Sequence, residues 1–148
     1  MATAAEPIFH IAYISQANEE LGYNDIEDIL TSARINNPAQ KITGVLIHSD
    51  GFFVQLLEGP SERVVKQALS KIIADERHSN LRVIGEWYSS ARFFNSPMGF
   101  CDSDVHAQHS CFSYFENLFN DSITFTKSKS DGLVNFFVDF SNSGIELK

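Results

Sequence analysis

Two apolar runs separated by an Asp-Gly turn constrain the fold of this chain more than any other feature of its sequence. Residues 42–48 and 52–58 each have the length of a strand and are rich in β-branched or aromatic side chains. Ser49-Asp50-Gly51 joins them, and Asp-Gly favours the tight turns of hairpins. The sequence therefore predicts an antiparallel hairpin in the middle of the chain.

Further strands and helices flank this hairpin in a defined order. The remaining predicted strands are residues 8–15, 81–89 and 92–100. A first helix is predicted from an Asn24 cap to just before Pro38, and a second begins near Ser61 and ends before His78. The order strand-helix-strand-strand-helix-strand-strand predicts an α+β, ferredoxin-like sandwich with two helices on one face of one sheet.

The C-terminal part of the chain has helical periodicity. Residues 103–120 and 130–141 are predicted helices, joined by a loop, and together they are too short to build a core of their own. We therefore expect a domain at residues 1–101 and an extension at 102–148 that packs on the sheet or on a partner subunit. The apolar faces of the two helices contain Phe112, Phe115, Phe119, Leu133, Phe136 and Phe140.

Composition and charge narrow the classes of function. A formal net charge of −8 argues against a nucleic-acid partner, because phosphate contacts need a basic surface. No apolar run is long enough to cross a bilayer, and the N-terminus lacks the pattern of a signal peptide. Two cysteines, Cys101 and Cys111, make no disulfide framework and favour a reducing cytoplasm. The spacing of His106, His109 and Cys111 matches no closed zinc pattern, so no metal site is predicted.

Strand alternation places two polar side chains on buried faces. Tyr13 shares a face with Phe9 and Ile11, and Gln55 lies between apolar neighbours on the third strand. The first and third strands of this topology are adjacent, so both side chains face the layer beneath the helices. A phenol and an amide there can bond each other and a flat, partly apolar ligand such as an isoalloxazine ring. The alternative is a core tyrosine, and a glutamine satisfied by backbone or water.

Short motifs follow one another along the chain in an order and spacing that make them specific together. They are Ala12-Tyr13-Ile14-Ser15, Asn36-Asn37, Ile42-Thr43-Gly44, Phe52-Phe53-Val54-Gln55-Leu56-Leu57-Glu58-Gly59, Asp75-Glu76-Arg77-His78, Arg92-Phe93 and Met98-Gly99-Phe100. In this arrangement the chain resembles the BLUF family, sensors of blue light using flavin, over about residues 8–100. The resemblance implies a noncovalently bound flavin between the two helices, commonly FAD, with FMN and riboflavin as alternatives.

The same resemblance implies roles for individual side chains. Tyr13 would be the photochemical electron donor, and Gln55 would lie between Tyr13 and the N5 and C4-carbonyl edge of the flavin. Asn37 would bond the carbonyl and N3 edge, and Met98 would lie near Gln55. The further expected contacts to the flavin or its ribityl chain are Lys71, Asp75 and His78, with Asn36 and Ser15 beside the site.

Structural roles for these residues stay open at this point. Asn37 also suits a helix C-cap, Lys71 and Asp75 suit a solvated pair one helical turn apart, and Met98 suits core packing. Three positions depart from the family. The family often has Trp in the place of Ser96, and it often has Arg in the places of Lys71 and His10.

The resemblance implies a photoreceptor and not an enzyme. Residues 102–148 leave no room for an effector enzyme, so we expect the signal to pass through the C-terminal helices to a separate protein or another subunit. Members of this short type often form oligomers, and a homo-oligomer is expected here. The alternatives are a small flavoprotein oxidoreductase and a ferredoxin-like regulatory module without flavin.

Overall fold

The computed structural model of the protein describes residues 6–49, 51–102, 137–138 and 141–142. Five strands and two α-helices follow one another within residues 6–102. They are β1 (Ile8–Ala17), α1 (Tyr23–Asn36), β2 (Thr43–Ser49), β3 (Phe52–Gly59), α2 (Glu62–Ile73), β4 (His78–Ser89) and β5 (Gly99–Asp102). A single 3₁₀ turn, Pro38–Gln40, follows α1. Apart from residues 137, 138 and 141, which are helical, the predicted C-terminal helices lie outside the described residues.

The five strands form one mixed sheet in the order β4-β1-β3-β2-β5. β1 lies between β3 and β4 and pairs antiparallel with both, and β3 is the central strand. β2 completes the predicted hairpin with β3, and β5 adds to its outer edge in parallel. The ferredoxin-like α+β prediction is confirmed, as is the adjacency of the first and third strands.

Two glycines and one serine stand where the chain needs close strand pairing, a turn and a helix start. Gly44 lies where β2 approaches β3, and a Cβ atom there would come within 2.0 Å of the Leu56 carbonyl oxygen. Gly51 has a φ of 81° in the hairpin turn, a conformation that favours glycine. Ser61 caps α2, since its side chain accepts a hydrogen bond from the Val64 N–H at 3.2 Å.

Two boundary predictions are wrong. The fifth strand was expected at residues 92–100, but β5 begins only at Gly99. The backbone N–H groups of Phe93 and Phe94 bond the Glu58 side chain instead of a neighbouring strand, and Pro97 has no N–H to offer. The cap of α1 is Gly22, whose N–H bonds the Asp25 carboxylate at 2.9 Å, and the expected Asn24 cap lies inside the first turn.

Buried side chains form one layer on each face of the sheet. We call the side covered by α1 and α2 the helix face and the opposite side the reverse face. The helix-face layer contains Phe9, Ile11, Tyr13, Ala17, Ile26, Leu30, Ile42, Leu46, Phe53, Leu57, Val65, Leu69, Met98 and Phe100. The reverse-face layer contains Ala12, Ile14, Val45, Ile47, Val54, Leu56, Ile84, Phe94, Cys101 and Phe137. A residue of the C-terminal extension, Phe137, is thus fully buried against the reverse face.

Among the helices described here, none combines the length and the hydropathy that crossing a bilayer requires.

Candidate functional site

A cavity of about 190 Å³ lies between α1, α2 and the helix face of the sheet. Small side chains on the facing helices, Ala33 and Ala68, leave this space open. Apolar side chains from the helices and the sheet form much of its wall, among them Ile29, Leu46 and Phe53. All the side chains predicted at the site except Ser15 line it, and they are Tyr13, Asn36, Asn37, Gln55, Lys71, Asp75, His78 and Met98.

Tyr13 and Gln55 meet in the floor of this cavity. They are direct partners in the register of β1 and β3, and both side chains are buried. The Tyr13 hydroxyl donates a hydrogen bond to Gln55 Oε1. Burial raises the pKa of Tyr13 far above its ordinary value, and the nearby Asp75 carboxylate raises it further. The phenol is therefore a hydrogen-bond donor at any physiological pH.

Met98 holds the other end of the Gln55 amide. Gln55 Nε2 lies 3.3 Å from Met98 Sδ and donates to it, and Met98 is also fully buried. Thioether sulfur is a weak acceptor, so this side of the amide has a partner that is easily exchanged for a better one. Tyr13, Gln55 and Met98 thus form a short hydrogen-bonded chain whose central member has a donor and an acceptor on one group.

Asn37 links the end of α1 to the segment that carries Met98. Its Nδ2 donates to the Pro97 carbonyl at 2.7 Å, while Arg34 Nε donates to the Met98 carbonyl at 3.1 Å. Asn37 is also the residue that ends α1, with its N–H bonded to the Ala33 carbonyl at 2.8 Å. Its φ of −65° and ψ of −38° are those of a right-handed helix, so Asn37 does not adopt the left-handed conformation that is common at helix C-termini.

The far end of the cavity is lined by charged groups that follow α2. Asp75 pairs with Arg77 and not with Lys71, since Arg77 Nη2 lies 2.6 Å and Nε 2.9 Å from the carboxylate. The hydrogen bonds from Arg77 hold the pKa of Asp75 below its usual range, and the carboxylate raises the pKa of Arg77. Lys71 is solvent-exposed at the same rim.

His78 joins this end of the cavity to β1. Its Nε2 lies 2.6 Å from the Ile72 carbonyl oxygen, an atom that only accepts, so Nε2 carries a proton. Its Nδ1 lies 2.7 Å from the hydroxyl of Ser15. Ser15 is buried and supports His78, and it does not line the cavity itself.

Other polar residues line the cavity without having been predicted from the sequence. Ser32 lies one helical turn before Asn36 on α1, so helical periodicity was a signal that could have found it. Arg77 stands inside the Asp75-Glu76-Arg77-His78 motif, but no role at the site was predicted for it. Gln40, in the 3₁₀ turn, had no such signal.

The lining suits a flavin. A flat ring system needs apolar walls on its two faces and polar partners along one edge. The two alanines leave a space between the helices and the sheet, and the apolar side chains around this space supply such walls. The Gln55 amide, with a replaceable sulfur partner, supplies hydrogen-bonding groups toward such an edge.

The chain belongs to the BLUF family, described as sensors of blue-light using FAD, whose model matches residues 8–99. It is 39% identical over 83 residues to the photoactivated adenylate cyclase subunit beta of Euglena gracilis, a match that covers 56% of this chain and 10% of that protein. It is 30% identical over 97 residues to the blue light- and temperature-regulated antirepressor BluF of Escherichia coli strain K12, covering 65% and 24%. The chain thus spans only a small part of these curated relatives.

Solved BLUF structures share the fold. The photo-activated state of BlsA has a TM-score of 0.73 at 27% identity and covers 95% of this chain and 98% of its own. The dark state of BlrB, a BLUF protein, has a TM-score of 0.71 at 20% identity over 94% of this chain and 98% of its own. This second likeness shows the fold alone.

These findings confirm the family and the photoreceptor prediction. The chain contains a blue-light receptor domain that uses flavin, and such a domain is a sensor module, not an enzyme. The cyclase named in the Euglena relative accompanies a BLUF segment that forms only a tenth of that protein. The residues considered as a metal site, His106, His109 and Cys111, lie outside the described residues.

Proposed function

We propose that this chain is a receptor whose light-responsive unit is the Tyr13–Gln55 pair, with FAD as the flavin. The observation that carries the proposal is the buried chain of hydrogen bonds from the Tyr13 hydroxyl through the Gln55 amide to Met98 in the floor of the cavity. The family description, which names FAD, supports this flavin over FMN and riboflavin.

Residues on both helices would hold the flavin. Asn36 and Asn37 line the cavity at the end of α1, and an amide can bond both the carbonyls and the N3–H of a flavin ring. Lys71, Asp75 and His78 line it at the end of α2, where a ribityl chain with its hydroxyl groups would find both donors and acceptors. Cations near that rim favour a phosphorylated flavin.

The chain's own part in the photochemistry is to supply an electron and to move a proton. When bound and excited by blue light, a flavin supplies a one-electron oxidant. Tyr13 is the oxidisable side chain in the cavity floor, and an oxidised phenol is a strong acid, so its proton passes along the existing bond to Gln55 Oε1. Return of the electron and of one proton to Tyr13 leaves no net oxidation, and the Gln55 amide can keep its donor and acceptor reversed because the Met98 sulfur holds its Nε2 only weakly.

Output through the C-terminal extension is part of the proposal. Phe137 packs in the reverse-face layer together with Val54 and Leu56 of β3, the strand that carries Gln55. A shift of that strand or of β5 would therefore reach residues 102–148, and through them a separate signalling protein or a second copy of this chain. A reducing cytoplasm is part of the proposal as well, because the two cysteines of the chain do not make a disulfide framework.

The test is the absorption spectrum of the FAD-loaded protein before and after a blue flash. The wild type should show a reversible red shift without added substrate or reductant. Tyr13→Phe and Gln55→Leu should each keep the yellow colour and lose the normal red-shifted state, because each breaks the hydrogen-bonded chain. A Tyr13→Phe protein with a wild-type photocycle would contradict the assignment.

Matched controls on α1 and α2 separate these roles from general effects of the substitutions. Tyr23→Phe removes a hydroxyl from a side chain that is 65% exposed, and Gln67→Leu makes the same change as Gln55→Leu on the exposed side of α2. Both should retain the red shift.

Two outcomes for the wild type would favour the alternative functions. Bleaching that needs a reductant or substrate would point to an oxidoreductase, and a protein that cannot be loaded with flavin would point to a regulatory module.

A further inference from the structure

The stretch that carries Met98 reaches the cavity without regular secondary structure. Residues 90–98 connect β4 to β5 and form neither a strand nor a helix, and they end in Met98, the partner of Gln55. Met98 is nevertheless fully buried. Because no strand or helix fixes this stretch, the position of the Met98 sulfur depends on individual hydrogen bonds along it.

Glu58 holds the middle of the stretch on the reverse face. This side chain of β3 is fully buried, and it does not line the cavity. Its Oε1 accepts hydrogen bonds from the Thr43 hydroxyl at 3.0 Å and from the Phe94 N–H at 3.1 Å. Its Oε2 accepts from the Phe93 N–H at 2.5 Å and lies 3.0 Å from His10 Nε2. The chain is thus fixed here, and the sulfur can gain freedom only through the residues that follow.

The last three residues of the stretch are held through their carbonyl oxygens. The Ser96 carbonyl accepts a hydrogen bond from the backbone N–H of Gly44 in β2 at 3.1 Å. The two carbonyls that follow accept from the side chains of Asn37 and Arg34 at the end of α1. These three bonds tie the turn to β2 and α1, and they leave the backbone N–H of Met98 to another partner.

That partner is the hydroxyl of Ser96. Its Oγ accepts a hydrogen bond from the Met98 N–H at 3.3 Å. A serine hydroxyl bonded to the backbone two residues further on closes a compact turn, and the fixed φ of Pro97 between them limits the conformations of that turn. Ser96 itself does not line the cavity. Loss of its hydroxyl therefore loosens Met98 without changing the wall of the flavin site.

The position of the Met98 sulfur matters because the sulfur can only accept. In the structure the Nε2 donor of Gln55 faces it at 3.3 Å. Once light has reversed the donor and the acceptor of the amide, an acceptor faces the sulfur, and two acceptors form no hydrogen bond. A sulfur held in place therefore disfavours the reversed amide, whereas a sulfur that can move away disfavours it less.

We propose that Ser96 is a positioning residue for Met98 and that its hydroxyl shortens the lifetime of the light-induced state. This role rests on the proposed function of Gln55, since Ser96 acts through the amide that faces the sulfur. With the hydroxyl in place, the turn keeps the sulfur against the amide, and the amide returns quickly to its dark arrangement. Without the hydroxyl, the turn loosens, the sulfur moves away from the reversed amide, and dark recovery becomes slower.

The experiment measures dark recovery of the FAD-loaded Ser96→Ala protein after a blue flash. We expect recovery to be slower than in the wild type by about two- to tenfold, the range to which loss of one neutral hydrogen bond corresponds. The dark spectrum and the affinity for FAD should stay unchanged, because Ser96 does not line the cavity. Recovery at the wild-type rate or faster would overturn the inference.

Two further variants separate the hydroxyl from a general loosening of the stretch. Ser96→Thr keeps a hydroxyl that can accept from the Met98 N–H, and it should keep the wild-type rate. Ser89→Ala is the matched control, since the Ser89 hydroxyl donates to the Ala91 carbonyl at 2.8 Å in the same connection between β4 and β5. Its loss should leave recovery unchanged. A Ser96→Thr or Ser89→Ala protein as slow as Ser96→Ala would count against the hydroxyl of Ser96.

A double-mutant cycle with Met98→Leu tests whether Ser96 acts through the sulfur. Leucine has a similar volume but no acceptor, so Met98→Leu should by itself slow recovery. Adding Ser96→Ala to this variant should slow recovery no further, because the effects of coupled residues do not add. An equal slowing by Ser96→Ala in both backgrounds would show that Ser96 has only a structural role. A wild type without any red-shifted state would instead overturn the proposed function.

Discussion

The two faces of the sheet bury polar side chains from the same two central strands and use them differently. On the reverse face, His10 and Glu58 meet a complete set of partners within 3.1 Å. On the helix face, Tyr13 and Gln55 border a cavity, and the amide N–H of Gln55 is held by a sulfur. A fully satisfied buried network fixes structure, whereas one with a weak partner beside a cavity is free to change its bonding.

The largest expected difference between the two faces is the loss in the free energy of unfolding when one polar side chain is removed from each face. Glu58→Ala leaves His10 Nε2 and two backbone N–H groups buried without their partner, so we expect a loss of about 3–5 kcal/mol in the free energy of unfolding. Gln55→Leu removes the hydrogen bond from Tyr13 and the weak one to Met98 but adds apolar packing beside a cavity, so we expect a loss of only about 1–2 kcal/mol. Urea unfolding of the flavin-free proteins measures both values.

The control for these two variants is Glu86→Ala. Glu86 is a partly exposed glutamate of β4 that pairs with Lys66 at 3.2 Å, and its removal should change stability by less than about 1 kcal/mol. Equal losses in the free energy of unfolding for Glu58→Ala and Gln55→Leu would show that the hydrogen bonds of the two faces contribute equally to stability.

Flavin should stabilise the protein through the helix face. At a concentration one hundred times the dissociation constant, a ligand that binds only the folded state adds about 2.7 kcal/mol. Ala68→Leu places a larger side chain into the cavity, so this variant should fold and lose the gain in melting temperature on addition of FAD. Gln67→Leu introduces the same side chain on the exposed side of α2 and should keep the gain.

The sequence predicted the helix face better than the reverse face, and the reason is local periodicity. Strand alternation alone brings Tyr13 and Gln55 to one layer, and the resemblance to the BLUF family implied that Asn37 and Met98 lie at the same site, where the structure has them. The partners of Glu58 could not be predicted in this way. They are backbone N–H groups some thirty-five residues further along the chain, in a stretch whose apolar side chains resemble a strand.

The helix-end residues show a second limit of periodicity. Helical spacing left open a pair between Lys71 and Asp75 across one turn, but α2 ends at Ile73, between them. Beyond that point the chain bends so that Asp75 meets Arg77, two residues away. A pairing made by a turn depends on backbone geometry after the helix, which residue spacing does not reveal.

The smallest predicted effect tests this last pair at the rim of the cavity. Hydrogen bonds from Arg77 hold the pKa of Asp75 below the value of 3.8 that it has when unperturbed. As the pH falls, the unfolded chain therefore binds a proton on Asp75 before the folded one does. The stabilisation is fully present above that value and is lost as the pH falls through the lower pKa of the folded state.

Because both side chains are partly exposed, the pair should contribute less than about 1 kcal/mol. Arg77→Gln should lower the urea midpoint slightly at pH 5, and the difference from wild type should be smaller at pH 2.5, because Asp75 takes up a proton as the pH falls. Lys66→Gln removes a cation from an ion pair of α2 outside the cavity and controls for net charge. An Arg77→Gln protein whose midpoint differs from wild type equally at both pH values would show that Arg77 acts through packing, and that the rim carries no ionic contribution to the stability of the helix face.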